Sequence, residues 1–133
     1  MAQIITNLLT RDVDRSVAFY RALCGLREAR RGDNYVVLGP SDGTASVVLI
    51  DWVSELVPRA ARGVSEGNYL SVILDDVESA LGVAAEFETE IIEETRSADG
   101  ILVHAVVRDL DGRVIEISTP AEHLKLPPQK TVA

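Results

Sequence analysis

The sequence predicts an α+β domain made of two β-α-β-β-β modules whose strands join into a curved mixed β-sheet around a groove. Three observations lead there. One pattern is written twice: "NLLTRDVDRSVAFYRAL" at residues 7–23 and "SVILDDVESALGVAAEF" at residues 71–87 both read as an apolar strand, an acidic-Val turn and a helix. In both copies three short strands, separated by turn residues, follow the helix. The copies also end alike, because "SDGTASVVLI" (41–50) resembles "LDGRVIEIS" (110–118).

In the first copy, residues 3–10 form a strand. Asp12 is an N-cap, since its carboxylate can accept from the free N–H groups of a helix start. Val13, Val17, Tyr20 and Leu23 or Cys24 then fall on one helical stripe, and Gly25 ends the helix. Strands follow over 26–31, 34–39 and 45–50, broken at Gly32-Asp33 and at Gly39-Pro40-Ser41-Asp42-Gly43. Neither "GPSDG" nor "RGD" (31–33) has the flanking elements of a phosphate loop, so both read as turns.

In the second copy, residues 68–74 form the first strand and 77–86 the helix, which buries Val77, Leu81, Ala84 or Ala85, and Phe87. Gly82 weakens that helix by about 1 kcal/mol relative to Ala. Strands follow near 89–95, 101–108 and 113–118. A single domain over 1–133 thus holds module one (1–50), a crossover loop (51–67), module two (68–119) and a tail (120–133). Pro58, Gly63 and Gly67 mark the loop, with a helical turn at 52–57. Pro127 and Pro128 mark the tail, expected to be loose or to lie over a partner subunit.

The totals fit one domain: 133 residues, 47% of them hydrophobic. Thirteen basic against 21 acidic residues give a net charge of −8, which provides no electrostatic footprint for nucleic acid or anionic lipid. No apolar run approaches the roughly 20 residues of a membrane helix, and the N-terminus lacks the features of a signal peptide. Cys24 is the one cysteine. It cannot form an internal disulfide, and a reducing cytoplasm is the simplest setting.

Strand side chains alternate between faces. Leu70, Val72 and Leu74 share an apolar face suited to a helix, and Tyr69, Ser71 and Ile73 share the other. Ile5, Asn7 and Leu9 match the second set. In the last strand Ile115 and Ile117 face one way, and Val114, Glu116 and Ser118 the other. If the mixed faces enclose the groove, Asn7, Tyr69, Ser71, Glu116 and Ser118 are its polar lining, an arrangement typical of small-ligand sites. Each residue also has a plainer reading. Glu116 is a ligand contact or a carboxylate paired with a neighbour. Tyr69 is a stacking ring or a filler, and Trp52 a cover for ligand or a loop anchor. His104 is a general base near Glu116 or a structural strand residue. Tyr35 is a weaker version of Trp52. Phe19 and Tyr20 read as core, Ser16 and Ser79 as fold residues, and Cys24 as a buried thiol without a nucleophile's surroundings.

"RDVDRSVAFYRALCGL" is similar to the "D-L/V-x-x-S-x-x-F-Y-x-x-x-L-G" signature that opens members of the vicinal oxygen chelate superfamily. "RDLDGRVIEI" resembles its closing "D-P-D-G-x-x-I-E", with Leu110 in place of the proline. That superfamily includes glyoxalase I, extradiol dioxygenases, and fosfomycin- and bleomycin-resistance proteins. The resemblance covers residues 3–119 and implies paired β-α-β-β-β modules, often completed as a homodimer. It implies a divalent metal held from the inward faces of several strands, at positions matching Ile5, Val47 or Val48, Tyr69 and Glu116. Relatives with metal commonly have His or Gln at the first and fifth strands; here those places are Ile5 and Tyr69. Catalytic metals take roughly three or more protein donors, and Glu116 alone keeps a carboxylate. No metal or other cofactor is therefore expected. Of the two histidines, His104 lies outside the ligand positions and His123 is in the tail.

The resulting expectation is a cytoplasmic homodimer that binds a small organic molecule, cationic or aromatic, without catalysis, through Asn7, Trp52, Tyr69, Ser71 and Glu116. An aromatic content of 5% weighs against an aromatic ligand. The alternative is an enzyme of the glyoxalase/dioxygenase superfamily, metal-free or with a weakly held divalent metal, in which Glu116 with Tyr69 or His104 transfers a proton. A third reading is an interaction module whose groove is filled by its own side chains.

Overall fold

Duplication is visible in the strand pairing. A computed structural model describes residues 2–42, 47–63 and 66–125, and the chain divides into two compact units. The first holds the chain up to Asn68 together with Asp109–Arg113; the second holds Tyr69–Arg108 and the chain from Val114. Residues 45 and 46 of the expected fourth strand, 64 and 65 of the crossover loop, and 126–133 of the tail lie outside the described residues.

The first unit runs β1 (Thr6–Thr10), α1 (Val13–Cys24), β2 (Arg27–Arg31), β3 (Tyr35–Gly39) and β4 (Val47–Asp51). Its sheet has the order β1-β4-β3-β2, with β1 and β4 parallel and the other pairs antiparallel. Asp12 caps α1 as expected, accepting from the Arg15 N–H at 3.1 Å. Gly25 ends the helix with φ 68°, a left-handed conformation that costs glycine little. Between these caps Val17, Phe19, Tyr20 and Leu23 are buried. They cover the sheet face where Leu8, Leu49 and Val36 stand in register, all buried. Strand β1 starts at Thr6 rather than residue 3, and its described pairing with β4 runs from Thr6 opposite Val47 to Thr10 opposite Asp51. Edge strand β2 is exposed throughout and shifts register between Glu28 and Arg30; charge and a bulge both discourage edge-to-edge pairing.

The crossover loop departs from the expected helical turn at 52–57. Ser54 N–H donates to Asp51 O at 2.9 Å and Val57 N–H to Ser54 O at 3.1 Å, which makes two successive turns. Asp51 favours the first by accepting from Val53 N–H at 3.1 Å, an Asx-type bond. A single 3₁₀ turn follows at Arg59–Ala61. It begins just after Pro58, whose missing N–H is no loss at a helix start.

The second unit repeats the plan: β5 (Leu70–Ile73), α2 (Glu78–Glu86), β6 (Ile91–Arg96), β7 (Leu102–Arg108), β8 (Val114–Ser118) and a short α3 (Pro120–His123). The sheet order is β5-β8-β7-β6, again with the first pair parallel. Ala105, Val107, Ile115 and Ile117 are fully buried on one face, with Val77, Ala80 and Ala84 also buried at α2. Leu81 and Phe87 are half-buried and Ala85 is exposed, so small residues carry the α2 contact. The described start of the tail forms α3. Thr119 Oγ1 accepts from Glu122 N–H at 3.3 Å and Pro120 opens the helical turn. Among the described residues no helix is long and apolar enough to cross a membrane.

One polar cluster lies inside the first unit. Asp109 is 4% exposed. Its Oδ2 accepts from the Tyr20 hydroxyl at 2.6 Å and from Arg113 Nη1 at 2.7 Å. Its Oδ1 accepts from the N–H groups of Asp111 at 2.9 Å and Arg113 at 2.8 Å. Arg113 Nη2 donates to the carbonyl of Leu9. Asp111 accepts from Arg11 N–H at 3.0 Å, and Ser16 Oγ, which lies 2.6 Å from Thr10 Oγ1, donates to it at 3.4 Å. Burial, and then the Asp109 carboxylate, push the Tyr20 phenol far above its ordinary pKa. Burial works to lower that of Arg113, but Asp109 and Tyr20 outweigh it and the net shift is upward.

Cys24, at the end of α1, is half-buried, and burial raises its thiol pKa from 9.0 to about 11. The thiolate is the reactive form, so alkylation by iodoacetamide at pH 8 should run about a hundredfold slower in the folded chain than in urea. Intact-mass measurement over time checks this; equal rates would show an open, unperturbed thiol.

Candidate functional site

The open face of the second sheet holds three of the polar groups that the sequence reading put on one lining, Tyr69, Ser71 and Glu116. Alternation puts Tyr69, Ser71 and Ile73 on it from the β5 side, and all three are exposed, Tyr69 to 62%. Glu116 sits on β8, directly opposite Ser71 on one side and Val106 on the other. Ser71 Oγ donates to Glu116 Oε1 at 3.4 Å. His104 pairs with Ser118, which leaves it diagonal to Glu116, and its Nε2 lies 3.4 Å from Oε2. The two side chains are part-exposed, 31% for Glu116 and 24% for His104. On β6, Thr95 stands opposite His104 and Glu93 opposite Val106.

Ser71 and His104 therefore each reach Glu116, from the two neighbouring strands, with Tyr69 just before the start of β5. Ser118, expected to line the groove, is buried. The other expected contacts lie in the first unit. Asn7 is exposed on β1 opposite Val48. Trp52 follows β4 and is 45% exposed, with the Arg11 guanidinium 5.1 Å from its ring centre. One ring surface of Trp52 thus already holds a cation. A shallow depression of about 370 Å³ in the same unit is lined by Asp33, Asn34, Tyr35, Ser54, Glu55 and Leu56. Its Tyr35 hydroxyl accepts from Arg30 Nη2 at 3.0 Å, so that phenol has a partner. It contains none of the residues singled out for binding except Tyr35.

The donor set does not fit a strongly held metal. Glu116 and His104 supply two donors, and among the described residues no group of three His, Cys, Asp or Glu side chains converges. Ile5 and Val48 have no donor atom, and Tyr69 offers a phenol, a poor ligand at neutral pH.

No family model and no curated protein sequence matches this chain. Solved structures do. A hypothetical protein from S. aureus superposes with a TM-score of 0.69 at 22% identity, covering 90% of this chain and 94% of that one. A glyoxalase/bleomycin resistance protein/dioxygenase family enzyme from Burkholderia phytofirmans gives 0.66 at 18% identity, over 86% and 95%. The trypanothione-dependent glyoxalase I of Leishmania major gives 0.64 at 18% identity, over 94% and 91%. With the duplicated strand order, these likenesses establish the architecture: the chain has the fold of the glyoxalase/bleomycin resistance/dioxygenase structures it superposes on.

Proposed function

We propose that the chain binds a small organic molecule on the open face of its second sheet, without catalysis. One observation carries the reading: a part-exposed carboxylate, Glu116, is held by two long contacts, from Ser71 and His104, beside a neighbouring strand on which Ile73, and just before it Tyr69, are exposed. A polar group set among apolar ones is what orients a small ligand. Tyr69 supplies a ring, and Ser71 and Glu116 supply hydrogen bonds and charge. A second reading, proton transfer by an enzyme, rests on the Glu116–His104 distance, since a carboxylate beside an imidazole is a common general-base arrangement.

A thermal-shift panel of organic cations and neutral aromatic compounds tests the binding. A ligand at about 100 times its Kd adds roughly 2.7 kcal/mol of stability. At least one compound should raise Tm, and Tyr69→Ala and Glu116→Gln should both reduce the rise. A panel that leaves Tm unchanged throughout would refute the reading in favour of a face occupied by its own side chains. Turnover of a bound compound, lost in His104→Gln with binding kept, would favour the enzyme.

A further inference from the structure

Resting on that binding reading, we infer that the ligand carries a planar N–H cation, an amidinium or guanidinium, gripped by both oxygens of Glu116. The carboxylate is underused. An ionised carboxylate offers roughly four lone-pair sites, whereas Glu116 has one partner on each oxygen, both at 3.4 Å. Charge-assisted hydrogen bonds to carboxylates run about 2.5–2.9 Å, so both oxygens keep most of their accepting capacity.

Among the described residues of its unit, the charge has no permanently charged partner in contact. Arg96 is engaged by Glu78 and Glu94, and Arg108 by Glu90. Among the described residues no Arg or Lys bonds to Glu116, and the basic group in contact with it is the His104 imidazole. Ser71 from β5 and His104 from β7 approach the carboxylate from its two sides and act as positioning residues that hold both oxygens in place.

The surroundings select the kind of cation. Val106 lies opposite Glu116, Val114 is two places away on β8, and Tyr69 and Ile73 are exposed on the neighbouring strand side. Guanidinium-type cations are flat and weakly hydrated, stack on rings, and match a carboxylate with two parallel N–H bonds. A quaternary ammonium brings charge and apolar contact but has no N–H to give.

Titration calorimetry on the full chain with benzamidine and with benzyltrimethylammonium separates the two. Benzamidine should bind at least tenfold more tightly, and the near-isosteric Glu116→Gln should abolish the difference. Ser71→Ala, which removes one positioning contact, should reduce it. Equal affinities, a preference for the quaternary ion, or a preference that survives Glu116→Gln would overturn the inference. So would absent benzamidine binding while another panel compound raises Tm in a Tyr69-dependent way; in that case the binding face stands and its proposed cation class falls. If no compound of either kind binds, both fall. Circular dichroism confirms that each variant is folded.

Discussion

Replacing Asp109 by alanine should lower the unfolding free energy by about 3–5 kcal/mol, the usual cost of stripping one partner from a buried ion pair. Asp109 accepts four hydrogen bonds, and its side chain is 1% exposed beside an Arg113 side chain 19% exposed. Without it the guanidinium keeps its burial and loses its counter-charge, the Tyr20 hydroxyl loses its acceptor, and two backbone N–H groups of the turn lose theirs. Urea denaturation followed by circular dichroism reads the change. Tyr20→Phe should cost less, about 1–3 kcal/mol, because Arg113 and both N–H groups stay bonded to the carboxylate. Since native domains hold roughly 5–15 kcal/mol in all, Asp109→Ala should leave a marginal fold. Equal midpoints for wild type and variant would mean that the cluster is solvated rather than buried.

Phe19→Ala should be comparably severe, about 3–5 kcal/mol. Phe19 is fully buried on α1, and its ring meets that of Tyr20 edge-on, with centroids 5.2 Å apart and planes at 86°. The loss combines transferred apolar area, the void left under the helix, and an aromatic pair worth roughly 0.5–1.5 kcal/mol beyond its area. Leu124→Ala, at a site 83% exposed, serves as control and should stay within about 0.5 kcal/mol. A small effect at Phe19 would mean that the helix can settle into the space.

The architecture was largely legible, because it rests on short-range signals. Alternation marked the strands, Asp12 and Gly25 bounded α1, and the written-twice pattern gave both sheets the same order. Helix α2 was harder to read. Its buried contacts come from Ala80 and Ala84, small residues that leave a weak apolar stripe, so Leu81 looked more central than it is. The Glu116–His104 contact was kept open as an alternative, yet the register was within reach of counting. Arg108 pairs with Val114 across the turn, so Val106 must meet Glu116 and His104 must meet Ser118. The Tyr20–Asp109–Arg113 cluster had no comparable signal. Tyr20 and Asp109 lie 89 positions apart, and a helical tyrosine at an apolar position reads as core whether or not its hydroxyl finds an acid.

That cluster bears on how far the two similar halves of the chain can be taken apart. The five-residue bend between the last two strands supplies the acid for a phenol encoded near the chain's beginning. A fragment ending at Asn68 would carry that phenol inside without its acceptor, and would leave the Ser16 hydroxyl without the Asp111 carboxylate. The two similar halves of the sequence are therefore not interchangeable, because the first depends on a bend that follows β7 of the second.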